Sequence, residues 1–280
     1  MNLFDQRIIF VDDGSPRDLS PDLNSYLSGT AGFPYVAAED FLYIGTVWPW
    51  STRHIEIGTP NDSSVSMLVE LWDSGAWHPV IDFFDMTSQS GASLAQSGQI
   101  RILKDRNFGW SNIEDSSLIP GLDGTKIYDL YWARVSFSFD LNPATTLKYI
   151  GAVFSDDNDL YRYFPDLNQP ALKSLFKAGK TDWKEQGFDA AKVILKDLKD
   201  RGFIASQDQI LDPYAYMEAS VYKTAQLIYG GLGKAYSELM DAAAKRYTAE
   251  MNLRAPYLDI TKDGQLSRAE RQTSYGRLVR

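Results

Sequence analysis

Tyr131-Trp-Ala-Arg-Val-Ser-Phe-Ser-Phe139 is the stretch on which the reading of the fold turns. Val135, Phe137 and Phe139 alternate with Arg134, Ser136 and Ser138. Side chains along a strand point to opposite faces in turn, so this pattern sends one face into a core and the other into water. Outward from it, the same chemistry recurs. Phe41-Leu-Tyr-Ile-Gly-Thr-Val-Trp48 is aromatic and β-branched and stops at Pro49, and His54-Ile-Glu-Ile57 alternates. Val65–Trp72 and Trp77-His-Pro-Val-Ile81 flank Asp73-Ser-Gly-Ala76, which has the residues of a tight turn. Gln99-Ile-Arg-Ile-Leu103 and Leu147–Phe154 complete the series. Short strands between turn clusters predict an antiparallel β-sandwich, jelly-roll-like in character. The opening forty residues hold one candidate strand, Arg7-Ile-Ile-Phe-Val11, and read as an arm or edge strand.

Beyond residue 155 the period changes from two to between three and four. Thr181 reads as the N-cap of a helix over Asp182–Arg201, with Trp183, Phe188, Ala191, Ile194, Leu195 and Leu198 on one stripe and Gly202 as its stop. Asp212-Pro213 opens a second helix carrying Tyr216, Met217, Ser220, Val221, Thr224 and Ile228, and Gly230-Gly231 reads as its end. A third, Lys234 to Leu253, turns Tyr236, Leu239, Met240, Ala243, Tyr247 and Met251 inward. The sequence therefore predicts an α+β multidomain chain. It places a β-sandwich with its N-terminal arm over 1–155, a linker over 156–171, a helical bundle over 172–255 and a terminal segment over 256–280.

Composition supports that division. Residues 1–155 hold 9 Lys and Arg against 19 Asp and Glu, and the remainder holds 19 against 18. Six of the seven tryptophans lie in the first part. The whole chain of 280 residues has a formal charge of −9, which disfavours wrapping duplex DNA because phosphate neutralisation needs clustered cations. It contains no cysteine, so disulfides, thiolate metal sites and cysteine nucleophiles are excluded. With only His54 and His78, a multi-histidine metal centre cannot be built within one chain. The opening residues carry acids where a secretory leader needs a basic segment. No apolar run nears the roughly 20 residues that span a bilayer. The expectation is a soluble chain, not secreted by the general route and without a membrane partner.

The sharpest motif is Asp259-Ile-Thr-Lys-Asp-Gly-Gln-Leu-Ser-Arg-Ala-Glu270. It matches the twelve-residue calcium loop: oxygen ligands at Asp259, Thr261 and Asp263, glycine at the sharp turn, the Gln265 carbonyl, Ser267, and Glu270 able to bind with both oxygens. Thr261 in place of an acid lowers the ligand charge, and Pro256 interrupts the entering helix. A calcium clip and an acidic capped turn both fit. The tryptophans could stack on sugar rings, but filling the core is the favoured reading because each ring buries a large apolar area. Asp156-Asp157-Asn158-Asp159 reads as solvated linker. No nucleophile elbow occurs, and Gly230-Gly-Leu-Gly-Lys234 lacks the spacing of a phosphate loop. With no enzyme signature, the chain is expected not to be an enzyme. The C-terminal residues Tyr275, Arg277, Leu278 and Arg280 form a basic tail with apolar anchors, able to dock on an acidic neighbour or to fray.

Phe176-Lys-Ala-Gly-Lys-Thr-Asp-Trp-Lys-Glu-Gln186, Ala190–Gly202, Gln209-Ile-Leu-Asp212 and Ala219-Ser-Val-Tyr-Lys-Thr-Ala225 together resemble the helical core of head–tail connector (adaptor, or neck) proteins of tailed bacteriophages. Leu42-Tyr-Ile-Gly45, Val69-Glu-Leu-Trp-Asp73, Ser93–Gly98 and Tyr131–Val135 are similar to β-sandwich modules that decorate phage virion proteins. The added sandwich and the calcium-like loop depart from a minimal helical adaptor. The resemblance implies a structural virion protein made in the host cytoplasm and placed at the head–tail junction. It implies a homo-oligomeric ring, a dodecamer, seated below the portal protein and beside other neck or tail proteins. DNA would pass through the lumen without specific binding. The alternative is a calcium-assisted carbohydrate-binding module of a virion or cell-surface protein.

Overall fold

The computed structural model describes residues 6–103, 109–253, 258–262 and 270. The chain forms two compact units. The first comprises the chain up to Gly151, joined by Ser206–Leu211 and by a segment beginning at Asp259. The second runs from Ala152 to Ala205 and resumes at Asp212. An antiparallel β region thus precedes a helical bundle, as the change of period predicts.

The β unit has two antiparallel sheets. The larger orders its strands β2 (Ser15–Asp18), β1 (Gln6–Asp12), β4 (Phe41–Thr46), β11 (Tyr128–Phe137), β6 (Met67–Asp73) and β7 (Ala76–Pro79), with β10 (Asn112–Asp115) also paired to β11. The smaller orders β3 (Ala31–Gly32), β12 (Thr146–Gly151), β5 (Thr52–Thr59), β9 (Gly98–Ile102) and β8 (Phe83–Asp85). A one-turn helix, α1 (Ser20–Leu23), follows β2. Both sheets feed one apolar cluster, in which Ile8, Phe10, Ile44, Val69 and Val135 of the larger meet Ile55, Ile100, Leu147 and Ile150 of the smaller.

Three features of this unit differ from the sequence expectation, each for a packing reason. Gln6–Asp12 is no arm: β1 lies between β2 and β4, and Ile8 to Val11 are all buried. An unbroken apolar run is what a strand covered on both faces requires. Its hairpin to β2 turns on Asp13-Gly14, whose positive φ values of 46° and 74° suit a two-residue hairpin turn. The second difference concerns β11, whose outer face is largely covered rather than wet. Leu130 and Trp132 sit in a second apolar cluster with Ile9, Tyr43, Trp72, Ile119 and Leu122, beneath a cover drawn from residues 113–127. On that face Arg134 is held between the rings of Phe41 and Trp77, 4.5 and 4.8 Å from their centroids, and pairs with Glu70 at 2.6 Å. Thirdly, Phe139, expected in the core, lies past the end of β11 and is 68 % exposed. Gly45 faces Trp132 across the ladder, and a Cβ there would stand 2.8 Å from the indole ring.

The helical unit contains α2 (Asp157–Tyr163), α3 (Pro170–Phe176), α4 (Lys184–Asp200), α5 (Met217–Leu232) and α6 (Ser237–Leu253). The stretch 156–171, expected as linker, forms α2, a 3-10 turn and the start of α3. The acids start the helix rather than solvate the chain. The Asp156 carboxylate accepts the Asp159 N–H at 2.8 Å, and the Asp159 carboxylate accepts the Asp156 N–H at 3.2 Å, a reciprocal capping box. Leu160 and Leu167 then enter the core around Trp183, with Val221, Ala225 and Ile228.

Trp183 also shifts the start of α4. It precedes the helix, donates its indole N–H to the Leu167 carbonyl at 2.7 Å, and replaces the Thr181 cap expected from sequence. Gly202 ends α4 with φ +70°, as expected. Gly230 and Gly231 do not end α5, which runs to Leu232 and stops at Gly233 with φ +91°. Gly231 is small because the Phe176 ring lies against it: a Cβ there would come within 2.3 Å of the ring.

Candidate functional site

The calcium-like loop is only partly among the described residues. Asp259 is fully buried in the β unit, where its N–H donates to the Gln209 carbonyl at 2.9 Å and its own carbonyl accepts the Gln209 side-chain amide at 3.4 Å. Thr261 follows in the same unit and is exposed, whereas the buried Glu270 belongs to the helical unit. Asp263, Gln265 and Ser267 lie outside the described residues, as do Tyr275, Arg277, Leu278 and Arg280. Lys262, at φ +61°, sets its ammonium 4.5 Å from the centroid of Trp48. Among the described residues no group of three or more His, Asp or Glu converges as a metal site. Asp259 is thus held by its backbone to Gln209, and three of the six expected ligands, Asp263, Gln265 and Ser267, lie outside the described residues.

The tryptophans follow the core reading. Trp50, Trp72, Trp110, Trp132 and Trp183 are buried and Trp48 and Trp77 are half-buried, with Lys262 set over the Trp48 ring and Arg134 over the Trp77 ring. Trp50 meets Trp110 edge-on at 5.8 Å, and Trp72 meets Trp77 at 5.2 Å.

The strongest electrostatic element went unread in the sequence. Arg53 of β5 is an ion-pair partner of Asp208, with side chains 2 % and 0 % exposed. The guanidinium lies 5.2 Å from the centroid of the Trp50 ring, and its Nη1 donates to the Thr52 carbonyl at 3.1 Å. Ser206 donates its hydroxyl to the Asp208 carboxylate at 3.2 Å, and Ser51 donates to the Leu211 carbonyl at 3.4 Å. The pair therefore fastens Ser206–Leu211 into the β unit, although that segment is more than 150 positions away in the chain. One signal was present: Arg53 shares the phase of Ile55 and Ile57, so it occupies an inward position, and an inward cation needs a buried anion.

Other acids of the β unit anchor loops. Asp40 accepts the N–H groups of Val36 at 2.7 Å and Asp13 at 3.0 Å. Asp85 accepts the Thr87 N–H at 2.8 Å and the Ser93 hydroxyl at 2.6 Å. Asp73 accepts from the Ser111 hydroxyl and the Gly109 N–H, and the Ser111 bond chiefly holds its carboxyl below the ordinary range. His54 pairs with the buried Glu56 at 3.1 Å within β5. In the helical unit burial pushes the Asp157 carboxyl up, against bonds from the Trp183 N–H and the Tyr161 hydroxyl. Burial, then the bond to the Asp197 carboxylate, raises the Tyr247 hydroxyl.

α6 leaves its outer face exposed. Ala243, Tyr247 and Met251 are buried, whereas Leu239, Ala242, Arg246, Ala249 and Leu253 are exposed. Those five recur at three and four residues, so they form one stripe along the helix. Leu239, expected inward, is 50 % exposed because Met240 and Ala243 take the bundle-facing positions. No helix among the described residues is long and apolar enough to cross a membrane.

The class of protein is thus an α+β chain, with an antiparallel β region followed by a helical bundle and a buried ion pair fixing a returning segment. No family model, no curated protein and no solved structure matches it.

Proposed function

We propose that this chain is a structural virion protein of a tailed phage, and that its copies form the ring at the head–tail junction, below the portal, through which DNA passes. The observation that carries the reading is the exposed stripe of α6, Leu239–Ala242–Arg246–Ala249–Leu253. A helix that packs with one face and leaves a second, evenly spaced face uncovered offers a lateral contact to the next copy. The sequence resemblance of the helical half to neck adaptors supports the same role. An acidic β half would suit a lumen or exterior that does not hold DNA. The two sheets, which share one apolar cluster, are read here as a β-sandwich.

Electron microscopy of the purified full chain, alone and with portal protein, tests the proposal. A closed ring of copies that seats on the portal is expected. Leu239→Glu with Leu253→Glu should abolish it while the circular-dichroism melt is kept, because both side chains already face water. A chain that stays monomeric at all concentrations and does not bind portal would refute the reading.

A further inference from the structure

We infer that one end of the β unit is a docking surface for the basic segment 271–280 of a second copy of this chain. The inference goes beyond the ring reading, since it concerns the β unit rather than α6 and requires only two copies.

The surface is built from four loops that hydrogen bonds fasten side by side. At the β1–β2 turn the Asp13 N–H donates to the Asp40 carboxylate at 3.0 Å, and the same carboxylate accepts the Val36 N–H at 2.7 Å. Ala37 donates its N–H to the Asp140 carboxylate at 2.7 Å, and Leu141 donates to the Tyr35 carbonyl at 3.2 Å. Asn142 reaches the remaining loop, through its N–H to the Asn61 Oδ1 at 3.0 Å and through its side-chain amide to the Asp62 carboxylate at 2.7 Å.

These loops carry one sign of charge. Asp12, Asp13, Glu39, Asp62 and Asp140 are exposed and Asp40 is buried, while residues 12–14, 33–40, 60–66 and 138–146 contain no Lys or Arg. Among the described residues none of the six acids forms an ion pair. Val36, between the two residues bonded to the 138–146 loop, is 41 % exposed, and Phe139, next to Asp140, is 68 % exposed. An exposed aromatic ring set among uncompensated acids marks an interaction surface, and its field favours a cationic partner with apolar anchors.

The chain itself holds such a partner. Two of its acid-free stretches contain three cations, 167–181 and 271–280. The first is committed to the helical unit, where the Lys173 and Lys180 side chains are buried. The second, Arg271-Gln-Thr-Ser-Tyr-Gly-Arg-Leu-Val-Arg280, lies outside the described residues and combines Arg271, Arg277 and Arg280 with Tyr275 and Leu278. Its arginines match the exposed acids, and its two apolar side chains match Phe139 and Val36. Glu270, the residue before it, is buried in the helical unit, so the segment departs from the unit that does not carry the patch. Docked on a second copy, it joins the helical unit of one chain to the β unit of the next. Such a contact between two different surfaces is the kind that propagates around a ring.

Cysteine trapping with the full chain tests this, because the sequence has no cysteine of its own. A tagged Phe139→Cys copy mixed with an untagged Leu278→Cys copy should give the mixed disulfide dimer under mild oxidation. Leu27→Cys, at a side chain 63 % exposed elsewhere on the β unit, should give little with the same partner. Asp12→Lys with Glu39→Lys on the first copy should abolish the mixed dimer, as should Arg277→Glu with Arg280→Glu on the second. Both reversals together should restore it, which misfolded variants would not do. Salt near 1 M, where the Debye length is about 3 Å, should weaken it. Equal trapping of Leu27→Cys and Phe139→Cys, trapping that survives either charge reversal, or no recovery when the two are combined overturns the inference. A chain carrying both Phe139→Cys and Leu278→Cys that closes only on itself overturns the second copy as the source. A ring in the microscope without the mixed dimer overturns the inference and leaves the ring reading standing; the mixed dimer without a ring does the reverse.

Discussion

Replacing Asp208 by alanine removes the acid paired with Arg53, the only one among the described residues, in a place where both side chains are buried. The guanidinium would keep its bond to the Thr52 carbonyl and its seat on Trp50, and neither cancels a full positive charge. Breaking a buried pair by deleting one partner costs about 3–5 kcal/mol, because the other charge stays desolvated without compensation. At 2–4 °C per kcal/mol for a unit of this size, the melting temperature of the β unit should fall by roughly 10 °C. The double variant Arg53→Met with Asp208→Leu should recover most of that loss, since apolar replacement of both partners is near neutral or stabilising. Urea unfolding followed by tryptophan fluorescence reports on the β unit, which holds six of the seven tryptophans. The reasoning fails if Asp208→Ala costs less than about 1 kcal/mol, or if the double variant is as unstable as the single.

Asp157 supplies a prediction with a sign set by burial. Its carboxyl is raised in the folded state, so its favourable contribution is present at low pH and is lost as pH rises through the folded value. Asp157→Asn should therefore equal or exceed the wild type in thermal stability near neutral pH, with the gap closing on acidification; a gap that widens on acidification would contradict this. Gly231→Ala would improve helix propensity yet force a methyl within 2.3 Å of the Phe176 ring. Chemical denaturation should show a net loss of about 1–3 kcal/mol, and a stabilised variant would show that the ring moves freely. Leu167→Ala, in the stretch that reads as linker, should cost about 2–5 kcal/mol in the same assay, because Leu167 is fully buried beside Trp183. A linker residue would cost almost nothing.

The class of fold was legible because the evidence for it is local. Period two before Gly151 and a period between three and four after it decide strands and helices from a few neighbouring residues, and Asp73-Ser-Gly-Ala76 and Gly202 mark a turn and a stop by backbone freedom alone. The capping box at Asp156 and Asp159 was equally local, but four acidic and amide residues in a row also describe a solvated chain, and only the burial of Leu160 and Leu167 separates the two. Burial is not a local property. Whether β1 is an arm or an inner strand depends on β2 and β4 pairing with both its edges and on two apolar clusters covering its faces. Whether Leu239 faces in or out depends on which side of α6 meets α5, since Leu239 and Met240 are both apolar and one position apart. The partner of Arg53 lies beyond any window, because a charge is matched by whatever anion folding brings to it and not by its neighbours in the chain. The sequence alone thus determined the kinds of element and their order. Tertiary structure decided which faces are covered and where a buried charge finds its counter-ion, because desolvation is set by the atoms that surround a group in space.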